Sequence, residues 1–121
     1  MVFPNEDSIQ VINVEIRPNE PSPYKHCKVS FQLTFPDTYP IDAPKLKCLN
    51  RIYHPNINYE GAVCLPLVRE DYTPTVNLTM IICGLIFIMT YPNGEDPLNP
   101  NIGDLMLKTP DMFLKILEYT T

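Results

Sequence analysis

The residue types best suited to chemistry fall in one segment, Tyr53-His54-Pro55-Asn56-Ile57-Asn58-Tyr59-Glu60-Gly61-Ala62-Val63-Cys64-Leu65. A cysteine thiolate attacks carbonyl carbon, and acyl exchange between thiols runs near equilibrium. His54 and Asn56 precede Cys64, with seven residues between Asn56 and the cysteine. Pro55 fixes one φ angle and Gly61 permits a tight reversal just before Cys64, so a stiff loop can bring His, Asn and Cys onto one wall of a domain. A hydrolase would use Cys64 as nucleophile and His54 as base, which requires the imidazole to face the thiol and a third group to orient it. No cation adjoins Cys64 in the sequence, so no strongly activated thiol is expected.

The elements that must hold this loop are legible on either side of it. From Ser8 to Ile16, the residues Ile9, Val11, Val14 and Ile16 supply strand character. Pro18, Pro21 and Pro23 force a turn between Arg17 and Tyr24. Val29, Phe31, Leu33 and Phe35 then alternate with Lys28, Ser30, Gln32 and Thr34, the pattern of a half-buried strand. Lys45 to Leu49 forms a third strand after a loop bracketed by Pro36, Pro40 and Pro44. Connections this short cannot contain a parallel crossover, so the strands make an antiparallel meander. Periodicity stops from Asn50 to Pro74, but Ile52, Tyr53, Ile57, Val63, Leu65 and Leu67 are too apolar for disorder. That stretch is expected to be an ordered loop packed on the domain. Helices follow. Asn77 is an N-cap, and Leu78 to Thr90, apolar nearly all round, predicts a central buried helix ended by Pro92-Asn93-Gly94. Shorter helices are expected from about Asn101 to Lys108 and, opened by Pro110, from Asp111 to Tyr119. Strands first and helices last give the α+β class.

Composition removes several functions. The net charge of −5 and nine scattered Lys and Arg residues argue against a nucleic-acid partner, which needs clustered cations. The longest apolar stretch, Met80 to Met89, is too short to cross a bilayer, so no membrane span is expected. No basic region followed by an apolar run opens the chain, and a cytoplasmic or nuclear location is the default. Cys27, Cys48 and Cys83 form no Cys-x-x-Cys pair with each other or with Cys64, so no metal site is expected. They are read as buried small hydrophobes.

His54-Pro55-Asn56 followed by Cys64-Leu65 resembles the active-site signature of ubiquitin-conjugating enzymes. Pro23-Tyr24, Phe35-Pro36-Asp37-Thr38-Tyr39-Pro40, Ala43-Pro44, Arg51-Ile52-Tyr53 and Pro92-Asn93-Gly94-Glu95-Asp96-Pro97-Leu98-Asn99 match the family in order and spacing, from about Ser8 to the end. The resemblance implies an α+β fold, a four-stranded antiparallel meander followed by helices, as one catalytic core domain over residues 1–121. It also implies a carrier: Cys64 accepts ubiquitin or a ubiquitin-like modifier as a thioester from an activating enzyme and passes it to a substrate lysine, with a ligase. No cofactor is needed, since ATP is used upstream by the activating enzyme. Asn56 matches the asparagine assigned to oxyanion stabilisation, against a loop-shaping role; His54, with Pro55, matches a loop-structural residue, against a general base. Asp96 matches an acidic residue that would orient the lysine, against a simple turn cap, and Asn58 is a weaker candidate near the same wall. Ile41 and Pro74 match the two loops that ligases grip, although Ile41 departs from the aromatic residue common there.

Two features set this chain apart within the resemblance. It starts almost at the first strand, where the family's domain begins with a helix, so a truncated N-terminus is expected. Tyr59-Glu60-Gly61, Val68-Arg69-Glu70-Asp71-Tyr72, Ile81-Ile82-Cys83-Gly84-Leu85 and Glu95-Asp96-Pro97-Leu98-Asn99 look most like the neddylation branch, which carries the modifier of cullins. Ubiquitin is the alternative modifier. The alternative function is a non-catalytic modifier-binding module on the same fold, a class that usually lacks the cysteine.

Overall fold

The computed structural model describes residues 10–94 and 97–120, with side chains through residue 117. Three strands, β1 (Gln10–Ile16), β2 (Val29–Phe35) and β3 (Lys45–Cys48), form an antiparallel sheet in that order. The alternation in β2 sets which face is inside: Val29, Phe31, Leu33 and Phe35 are buried, while the residues between them are half-buried. Register follows from it, with Phe31 opposite both Val14 on β1 and Cys48 on β3. The expected start of β1 at Ser8 lies outside the described residues.

The expected fourth strand is absent as a strand among the described residues. In its place Ile57 forms isolated antiparallel bridges with His54 and with Val63. One hydrogen bond, from the Cys48 N–H to the Gly61 carbonyl (2.8 Å), joins this loop to the end of β3. The physical reason lies in Pro55: it has no N–H to give a ladder, and the chain around it folds back on itself instead.

Three helices follow, α1 (Leu78–Thr90), α2 (Pro100–Lys108) and α3 (Pro110–Thr120). Asn77 caps α1, its side-chain oxygen accepting from the Met80 N–H at 2.9 Å. Ile81, Leu85 and Met89, four residues apart, point into the core with Phe31, Leu33, Ile57, Val63 and Leu65. The expectation that α1 is buried all round is corrected. Met80, Ile86 and Phe87 are exposed, Phe87 by 61%, because α1 lays only one stripe on the core. Gly84 lets that stripe approach closely, since a Cβ there would sit 3.0 Å from Leu65, the residue after the cysteine. Ile102, Phe113 and Leu117 fasten α2 and α3 to the same core.

Candidate active site

Cys64 lies directly after the Ile57–Val63 bridge, half-buried. Its N–H donates to the Asn56 carbonyl at 2.9 Å, which sets the cysteine backbone against the His-Pro-Asn turn. The reversal before it is built by Asn58 and Gly61. The Asn58 side-chain oxygen accepts from the Glu60 and Ala62 N–H groups (3.0 and 2.8 Å), an Asx turn, which gives this residue a turn-building position. Gly61 has φ +95°, and a Cβ there would stand 2.8 Å from the Cys48 carbonyl oxygen, so only glycine fits.

Asn56 is buried, with 4% of its surface exposed. Its amide closes a two-bond ring with the main chain of Asn93: Nδ2 donates to the Asn93 carbonyl and Oδ1 accepts from the Asn93 N–H, both at 2.8 Å. The loop with the cysteine is thereby locked to the end of α1. His54 is fully buried and stacked on Tyr24, ring centroids 4.9 Å apart. Its Nδ1 accepts from the Asn56 N–H (2.9 Å), which leaves the proton on Nε2, donating to the Ile88 carbonyl (2.9 Å). Burial pulls its pKa down to about 4, only partly offset by the Ile88 carbonyl. Both ring nitrogens are thus engaged with main chain, and neither is free for proton transfer. Tyr24 in turn donates its hydroxyl to the Tyr53 carbonyl at 2.6 Å, and burial pushes that hydroxyl's pKa up.

The structure thus brings Cys64, Asn56, His54 and the buried Pro55 together. Asp96 lies outside the described residues. Its chain neighbours are anchored at the same place, Asn93 to Asn56 and the Leu98 N–H to the Pro55 carbonyl (2.8 Å). Ile41, 77% exposed, and Pro74, also exposed, sit on two other loops. Those loops are joined by a hydrogen bond from the Tyr72 hydroxyl to the Pro40 carbonyl at 2.7 Å. The expectation of three buried structural cysteines holds for Cys48 alone: Cys27 is half-buried and Cys83 exposed, because Cys83 lies on the outer face of α1. All four cysteines are free thiols. Sequence reasoning missed the partners Asn93 and Asn99. The first served only as a helix stop and the second as part of a matching block.

The family model for ubiquitin-conjugating enzymes matches residues 1–121, and the chain belongs to that family. Among its relatives, the NEDD8-conjugating enzyme ubc12 of Schizosaccharomyces pombe is 46% identical over 111 residues, 92% of this chain and 62% of that protein. The NEDD8-conjugating enzyme UBC12 of Saccharomyces cerevisiae is 39% identical over 109 residues, 90% of this chain and 57% of that protein. The chain therefore spans about six-tenths of the length of these curated relatives. The solved structure of S. cerevisiae Ubc12 superposes with a TM-score of 0.84 at 39% identity, over 89% of this chain and 56% of that one. The E2 domain of a Toxoplasma gondii ubiquitin conjugating enzyme shares the fold, with a TM-score of 0.82 at 22% identity over 93% of this chain and 83% of its own.

Proposed function

We propose that this chain carries a ubiquitin-like modifier as a thioester on Cys64, takes it from an activating enzyme and transfers it to a substrate lysine with the help of a ligase. The observation that supports this most is the half-buried thiol of Cys64 on a loop whose amide partner, Asn56, is held by the chain after α1. In loading, the Cys64 thiolate attacks the carbonyl of the modifier's C-terminal thioester and the activating enzyme's thiolate leaves. In discharge, a neutral lysine amine attacks the new thioester, the carbonyl oxygen takes the negative charge, and the Cys64 thiolate leaves as the isopeptide bond forms and the nitrogen gives up its surplus proton to solvent. Asn56 offers the amide donor for that oxyanion, and Asp96 the carboxylate that orients the amine. His54 takes the bracket role, since a buried imidazole with both nitrogens hydrogen-bonded to main chain has none free to exchange a proton with substrate. Ile41 and Pro74 are the ligase contacts in this reading.

The relatives named as NEDD8-conjugating enzymes support NEDD8 over ubiquitin as the modifier. The cytoplasmic or nuclear setting belongs to this proposal on the sequence alone. The test is a loading assay on the natural full-length protein with activating enzyme, ATP and either modifier, resolved on gels with and without reducing agent. A reducible adduct with NEDD8 is expected. No adduct with either modifier on folded protein would point to the non-catalytic binding module.

A further inference from the structure

Asn99 stands at the start of α2, directly before Pro100. An asparagine there ordinarily turns its side-chain oxygen onto the free N–H groups of the first turn. Here it makes no such cap. Its Nδ2 group faces the active-site loop and donates to the carbonyls of Ile57 (2.7 Å) and His54 (3.2 Å). Both acceptors are carbonyls, so only the NH2 end of the amide can face them. The main chain of the same stretch adds the Leu98 and Asn99 N–H groups, both on the Pro55 carbonyl (2.8 and 3.3 Å). Three of the four carbonyls of residues 54–57 are therefore met from residues 98 and 99, and the fourth, that of Asn56, accepts from Cys64.

We propose that Asn99 is a positioning residue for the transfer reaction: its amide shapes the turn that aims Asn56 instead of capping α2. This rests on the carrier reading above and deepens it. His54 and Ile57 are fully buried, so their carbonyls cannot turn to water when the Asn99 donor is removed, and the His54 carbonyl is left with the long bond from the Ile57 N–H (3.4 Å). The turn must rearrange to find other donors, and Asn56 lies between those two carbonyls in the chain. A displacement of about 1 Å at a reacting group costs on the order of a hundredfold in rate.

Two variants separate this from helix capping. Asn99→Asp keeps a capping oxygen and adds a charge favoured at a helix N-terminus, yet loses both donors and sets a carboxylate against two carbonyls. Asn99→Ala loses the donors without that repulsion. The natural full-length protein is charged on Cys64, charging is stopped, and discharge to free lysine is timed for the wild type, both Asn99 variants, Asn56→Ala and the Asn56→Ala/Asn99→Ala double variant. Both Asn99 substitutions are expected to slow discharge about tenfold or more. In the Asn56→Ala background, Asn99→Ala should add less than about twofold, because its route runs through Asn56. Discharge by Asn99→Asp at the wild-type rate would overturn the inference in favour of a cap. Equal slowing by Asn99→Ala in both backgrounds would overturn it in favour of a general structural role, and Asn99→Ala decides alone if the Asp variant fails to fold. If the wild type does not load, the carrier reading itself fails. The Asn99–Asn56 link is then judged on uncharged protein by NMR, where the Asn56 side-chain amide signals move in Asn99→Ala if the link exists and stay in place if it does not.

Discussion

The Asn56 amide has two hydrogens and one oxygen to place. Oδ1 and one hydrogen are committed to the Asn93 main chain. In the proposed carrier reaction the second hydrogen is the one that meets the oxyanion. Shaping the loop and stabilising the transition state are therefore compatible duties of one side chain. Asn56→Ala should slow discharge to lysine on the order of a hundredfold, the effect of losing one oxyanion donor, and slow loading less. Timing the two half-reactions separately checks this, and equal slowing would leave only the shaping role. His54 makes the complementary prediction for pH. Its pKa falls from 6.5 to about 4 on folding because burial disfavours the cation. The unfolded chain thus binds the proton first, so the stability this residue contributes is complete above pH 6.5 and is lost as pH falls towards 4. The drop corresponds to about 3 kcal/mol across that window. Urea midpoints measured from pH 7 to pH 4.5 should fall steeply in the wild type and less in a folded His54→Gln variant. Parallel curves would sink the assignment.

At the scale of elements, the loop between the two bridges of Ile57 depends on one glycine. Gly61→Ala forces a Cβ onto a positive φ and against the Cys48 carbonyl, which is backbone and cannot swing aside. A loss of about 1–3 kcal/mol is expected, read as a lower urea midpoint. An unchanged midpoint would mean that the turn has another conformation available. This loop also marks where sequence reasoning reaches and where it stops. The alternation of Val29, Phe31, Leu33 and Phe35 gives β2 its inner face directly, because period-two patterning reports burial. Asn77 likewise announces the start of α1. The outer face of α1 was not legible, since Met80, Ile86 and Phe87 have the same composition whether covered or exposed. Nor was the fourth strand, because whether residues around Pro55 pair with β3 or with themselves depends, besides the missing N–H of Pro55, on donors that arrive from Asn93, Leu98 and Asn99, about forty residues later. The residue types in the site were visible; the hydrogen bonds that orient them are long-range and leave no local pattern.

Over the whole molecule, the Tyr72–Pro40 hydrogen bond ties the loop of Ile41 to that of Pro74, and both residues are exposed. If a ligase grips that surface, its disruption should affect stimulated transfer and spare the chemistry. Ile41 is nearly bare to solvent, so replacing it with a charged residue removes apolar contact area without touching the core. Pro74 stiffens its loop, and a charge there acts on the same partner. Ile41→Glu or Pro74→Asp should therefore leave loading and discharge to free lysine within about twofold of wild type, the range of a surface substitution. Ligase-stimulated discharge should drop about tenfold or more, as for the loss of an interface anchor. Tyr72→Phe removes only the hydroxyl that ties the two loops, and a smaller drop of a few fold is expected, consistent with about 1 kcal/mol for one hydrogen bond. All three are measured in one chase experiment with and without ligase. Slowing of the unstimulated reaction to the same extent would mean that these loops reach Cys64, and no change in the stimulated one would remove them as the ligase surface.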